Sequence, residues 1–122
     1  MKIIAEVGLN HCGDEGRCAD IVSGLLESEI DGITFQIREF KFYDGTHPRK
    51  KELSDDFYNE MASMIRNAGK FIGYAITRPD KVEYLTSDFW KSLSWDLSNF
   101  DFLNQLIETG KPAYASTGLS ST

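Results

Sequence analysis

The sequence predicts an α/β fold in a single domain, residues 1–122, with five parallel strands and four helices. Two observations lead there. Short stretches rich in β-branched and aromatic residues alternate along the chain with stretches of three- and four-residue apolar spacing, which is the helical period. The strand stretches are apolar at successive positions, as burial on both faces of a parallel sheet requires, and the order β-α-β throughout calls for right-handed crossovers. A length of 122 residues suits one domain, and no Pro/Ser-rich linker, low-complexity segment or repeat beyond the βα alternation divides it.

Each element has a local cause. Ile3-Ile4-Ala5-Glu6-Val7 is a short strand ended by Gly8. Asp14 is placed to cap a helix whose Cys18, Ile21, Val22, Leu25 and Leu26 fall on one face. Asp31-Gly32 breaks the chain before a strand over Ile33-Thr34-Phe35-Gln36-Ile37. A charged loop over residues 38–54 follows, carrying Gly45 and Pro48. Ser54 then caps a helix with Asp55 and Asp56 in its first turn, where the dipole favours negative charge. Phe57, Met61, Met64 and Ile65 form its stripe, and Asn67-Ala68-Gly69 stops it. Phe71 to Ile76 reads as the third strand, and Pro79 starts a shorter helix with Val82, Tyr84 and Leu85. Trp90 to Trp95 is a weaker strand. Asn99 to Thr109 is a helix burying Phe102, Leu103, Leu106 and Ile107, closed by Gly110. Pro112 to Ser116 is a fifth buried strand, and a polar tail runs to Thr122.

Thirteen Lys and Arg against nineteen Asp and Glu give a net charge of −6, which offers no general attraction to nucleic acid or to an anionic membrane. An anionic ligand would need a local cluster of donors. No apolar run approaches the roughly 18 residues of a membrane span, and the N-terminus does not read as a signal peptide, since Glu6 interrupts its apolar stretch too early. A cytoplasmic location is expected. Cys12 and Cys18 match no zinc-type spacing, and Cys18 on an apolar helix face reads as a buried reduced thiol. With two histidines, His11 and His47, a metal site complete within this chain is not expected.

In parallel α/β folds the working face lies at the C-terminal ends of the strands. Polar groups gather there: Glu6, Asn10 and His11 from the first; Gln36 and Arg38 from the second; Thr77 and Arg78 from the third. Lys91, Ser94 and Asp96 come from the fourth, and Ser116-Thr117-Gly118 from the fifth. Glu6 and Gln36 interrupt apolar runs, a placement that costs free energy without a partner or a ligand. His11 reads either as an acid contacting substrate or as a hydrogen-bonder within its loop. Lys91 and Ser94 do not share a face by strand alternation, so a bulge or the strand end must bring them together. Glycine-rich dinucleotide, Walker and GxSxG patterns are absent, which removes support for dinucleotide binding and triad hydrolysis. Periodicity fits both an open doubly wound sheet and part of a (βα)8 barrel, which needs about 250 residues when whole.

Ile3 to Asp14 resembles the IIAE-x-G-x-NH-x-G opening of the sialic acid synthase family. Ile33-Thr34-Phe35-Gln36 resembles that family's V-K-F-Q strand, Lys91 to Ser94 its K-I-x-S strand, and Gly110 to Gly118 its G-K-P-x-x-x-S-T-G segment. The motifs run in order along essentially the whole chain, while the stretch between Arg38 and Ser54 has no counterpart. The resemblance implies the N-terminal half of a TIM-type (βα)8 barrel, open to completion by oligomerisation or by a complementary second-half polypeptide. It implies condensation of phosphoenolpyruvate with N-acetylmannosamine or a related amino sugar, with a divalent metal, Mn or Mg, whose ligands lie outside this chain. By the same resemblance Lys91, Ser94 and Ser116 match positions that hold phosphoenolpyruvate. Glu6 matches an active-site carboxylate, Gln36 a sugar-side contact, and Asn10 and His11 lie in the first motif. The family's lysine is Thr34 here, and its S-T-P turn is Thr77-Arg78-Pro79, which makes Arg78 a candidate to restore the lost charge. The alternative expectation is a non-catalytic remnant that binds a phosphorylated small molecule or acts through protein contacts.

Overall fold

The structure, a computed structural model, describes residues 1–45, 47 and 50–118. Pro48 and the tail residues 119–122 lie outside the described residues, as does the side chain of Trp95. Five strands, β1 (Ile4–Gly8), β2 (Gly32–Ile37), β3 (Phe71–Ile76), β4 (Phe89–Ser92) and β5 (Ala113–Ala115), lie side by side in chain order. Every neighbouring pair is parallel. A doubly wound sheet reverses its strand order at a switch point. This one does not, and its unbroken 1-2-3-4-5 order is the progression of a barrel wall.

Helices α1 (Glu15–Leu26) and α2 (Asp55–Asn67) begin where the sequence places their caps, and α3 (Phe100–Glu108) begins one residue after Asn99. Asp14 accepts from the backbone N–H of Arg17, Ser54 from that of Phe57 and Asn99 from that of Phe102. Strand alternation divides the two faces of the sheet. Ile33, Phe35 and Ile37 of β2, Ile72, Tyr74 and Ile76 of β3 and Trp90 of β4 are fully buried in one core. Cys18, Val22, Tyr58, Met61, Ile65, Phe102 and Leu106 complete it from the helices. The opposite, concave face carries Ile4, Phe71 and Tyr114, all exposed. Gly73 on that face makes room for Phe89, whose ring would stand 2.3 Å from a Cβ there.

Three expectations are corrected. The helix after Pro79 is a single 3-10 turn, Pro79–Lys81, so the α-helices number three among the described residues. Beyond it the side chain of Asn59 donates to the carbonyl of Tyr84 and accepts from the N–H of Thr86, holding the end of the crossover from outside. The fourth strand ends at Ser92, and Ser94–Asp96 forms another 3-10 turn. Finally, β5 is exposed along its length because it has a neighbour on one side alone, and Ile107 and Tyr84 are exposed as well. No helix among the described residues is long and apolar enough to cross a membrane.

Candidate functional site

Glu6, Thr34 and Lys91 all face the concave side, since β1 pairs Glu6 with Thr34 and the β3–β4–β5 register aligns Ala75, Lys91 and Tyr114. With Ile4, Phe89 and Tyr114 they line a cavity of about 380 Å³. Thr34 donates its hydroxyl to the Glu6 carboxylate at 2.5 Å. The carboxylate that interrupts the first strand is thereby partnered, although it is exposed. Lys91 is half-buried and has no hydrogen-bond or ionic partner among the described residues. Gln36 is half-buried and, two residues beyond Thr34, lies on the same face.

Lys91 lies within β4 on the concave face, whereas Ser94 lies past the strand end. Ser92 turns toward the helices and is fully buried, after which the 3-10 turn presents Ser94 beyond the sheet. Ser116 donates its N–H to the carbonyl of Ser92 at 3.3 Å, so the end of β5 is tied to the end of β4. Gly118, at φ +45°, comes so near that a Cβ there would stand 2.8 Å from the Ser94 hydroxyl. Ser94 and the Ser116-Thr117-Gly118 turn are therefore neighbours.

A second cavity of about 440 Å³ lies against the ends of β2 and β3 and the turn after β4, lined by Arg38, Glu39, Thr77 and Asp96. The Thr77 hydroxyl and one Asp96 oxygen, Oδ2, are buried there without partners among the described residues. Burial pushes the Asp96 carboxyl above its usual range, opposed by a hydrogen bond with Asn99 and reinforced by the charge of Glu39. Orphaned polar atoms of this kind mark a place that a ligand or water completes. Sequence reasoning set both residues among the strand-end polar groups but gave them no role. The signal available was the position of Asp96 two residues past Ser94.

Asn10 is exposed in the turn after β1. His11, by contrast, is fully buried: its Nδ1 accepts from the Gly13 N–H at 2.9 Å, and its Nε2 is buried with no partner among the described residues. A hydrogen bond within the loop is therefore present at Nδ1. Burial pushes the imidazole below its ordinary value of 6.5, so the folded chain holds it neutral. The unfolded chain takes the proton more readily, so this contribution to stability is complete above pH 6.5 and is lost as pH falls through the folded value. Urea midpoints are expected to fall more steeply below pH 6.5 in the parent than in His11→Gln, and parallel profiles would contradict this.

Arg78 is not brought to the group. It is buried, paired with Glu52 and, through Nη2 at 2.8 Å, with Asp80, so its guanidinium is committed to carboxylates rather than offered to an anion. Nor do the donors fit a divalent metal. No three His, Cys, Asp or Glu side chains converge among the described residues, Glu6 is bonded to Thr34, and the His11 Nδ1 is occupied. Both cysteines are free, and burial raises the Cys18 thiol to about 11, which makes it inert.

Fold and site together define a partial (βα)8 barrel wall that carries its polar groups at the C-terminal ends of its strands. No family model matches the chain. N-acetylneuraminate-9-phosphate synthase of Mus musculus is 30% identical over 141 residues, covering 98% of this chain and 39% of that protein. The Homo sapiens synthase of the same name is 29% identical over the same spans. The crystal structure of N-acetylneuraminic acid synthetase from Leptospira borgpetersenii, in complex with citrate, superposes with a TM-score of 0.84 at 20% identity. That match covers 98% of this chain and 45% of the other. The chain resembles the sialic acid synthase family along nearly all its length, and it spans about two fifths of the curated relatives it matches.

Proposed function

We propose that the chain is the N-terminal part of a synthase barrel that condenses phosphoenolpyruvate with N-acetylmannosamine or a related amino sugar, and that it supplies the anion-holding wall. The observation that carries this reading is the placement of Lys91, Ser94 and Ser116 on the adjacent strands β4 and β5 and at their ends. Hydroxyls and one ammonium suit a phosphate or carboxylate group that a chain of net charge −6 would otherwise repel. Glu6 and Gln36 would face the sugar from the same concave side. The bond formed joins C3 of phosphoenolpyruvate to the sugar aldehyde carbon, and phosphate leaves after water adds to C2. The divalent metal that the resemblance implies would take its ligands from the rest of an assembled barrel.

A second reading, a remnant that binds a phosphorylated small molecule without catalysis, is favoured by the Thr34–Glu6 hydrogen bond. That bond stands where the family's pattern has a lysine. Under both readings the open edges of β1 and β5 are where a second copy or a complementary polypeptide would pair.

Purified alone with phosphoenolpyruvate, N-acetylmannosamine and manganese, the chain is expected to release no phosphate above background. Adding a polypeptide that carries the remaining strands is expected to start release. Release by the chain alone, dependent on both substrates, would contradict the assignment of a single wall. A folded pair with no release would favour the second reading.

A further inference from the structure

We propose that Arg78 is a positioning residue: it anchors the segment entering α2 against the turn after β3, and through Lys51 and Gly13 that anchor sets the imidazole of His11. The contacts form a continuous line. The Arg78 side chain is 5% exposed and pairs through Nη1 with Glu52 and through Nε and Nη2 with Asp80. Its guanidinium also lies 3.5 Å from the centroid of the Phe40 ring. Lys81, one turn further, reaches Asp55 at 2.7 Å and Glu52 at 3.6 Å. The residues on both sides of the segment's middle, Phe40 and Glu52, are thus held by one guanidinium, a geometry that a planar fork provides and an ammonium does not.

Lys51, next to Glu52, is packed against Gly13. A Cβ on Gly13 would stand 2.3 Å from the Lys51 Cβ and 3.1 Å from its Cα and carbonyl oxygen, and the φ of +75° at Gly13 independently favours glycine. The N–H of this same Gly13 donates to Nδ1 of His11. That bond fixes the tautomer, leaving the proton on the buried Nε2, which has no partner among the described residues. The stretch between Arg38 and Ser54, which has no counterpart in the family's pattern, thereby acquires a task in this chain. The proposal concerns the geometry of the His11 loop and does not depend on the functional reading above, which gives His11 no role. The experiment reads geometry, so it can fail while that reading stands.

The test compares Arg78→Met and Arg78→Lys with the parent by NMR, following the Gly13 amide exchange rate and the ¹⁵N shifts of the His11 ring, assigned in a His47→Gln background. In Arg78→Met the Gly13 amide is expected to exchange about tenfold faster, as local opening allows, and the acceptor signature at Nδ1 is expected to disappear. Arg78→Lys should restore part of each. An unchanged Gly13 amide and His11 ring in folded Arg78→Met would overturn the proposal. If Arg78→Met does not fold, Glu52→Gln, which keeps the shape and removes the charge, decides on the same two readouts.

Discussion

Trp90→Ala is expected to remove about 3–5 kcal/mol of stability, the range for deleting a buried aromatic side chain. Trp90 is fully buried on the helix-facing side of β4, with its ring 5.8 Å from that of Tyr74. Tyr74 in turn meets Phe35 at 6.1 Å and Tyr58 at 5.8 Å, so the deletion opens one end of a continuous aromatic row. A small domain has about 5–15 kcal/mol in total, and one open at both sheet edges is expected to lie low in that range. Urea unfolding of the variant should show a greatly lowered midpoint or no cooperative transition. Tyr114→Ala, on the exposed concave side of the neighbouring strand, should shift stability by about 0.5 kcal/mol or less. Equal losses in the two variants would mean that the core does not lie on the side assigned to it.

The contrast between those two aromatics shows what the sequence made legible. Asp14, Ser54 and Asn99 cap their helices because capping is a bond between residues three apart, which a local pattern specifies. The exposure of Tyr114 and of all of β5 depends instead on which strands stand beside it, and periodicity does not encode that. The end of the segment after Pro79 is bonded to Asn59, more than twenty residues earlier, a contact that no local pattern encodes. Likewise the chemistry of Arg78 depended on Glu52, 26 residues away, in a loop whose path the sequence left open. In the site, the grouping at the C-terminal strand ends was readable from strand order alone. The Thr34–Glu6 bond and the burial of His11 were not, because both arise from contacts between segments.

Direct titration of the folded chain with phosphate and with phosphoenolpyruvate, followed by calorimetry, tests the central claim that β4 and β5 carry an anion-holding wall. Charge-assisted hydrogen bonds contribute about 1.5–3 kcal/mol each. With Lys91 the one cation lining the concave cavity among the described residues and Thr34 already donating to Glu6, a dissociation constant near 1 mM is expected, about −4 kcal/mol. Lys91→Ala combined with Ser116→Ala should abolish the heat, because neither residue is buried in the core and the fold should survive their loss. No heat at high ligand concentration with folded parent protein, or unchanged binding in the double variant, would contradict the account.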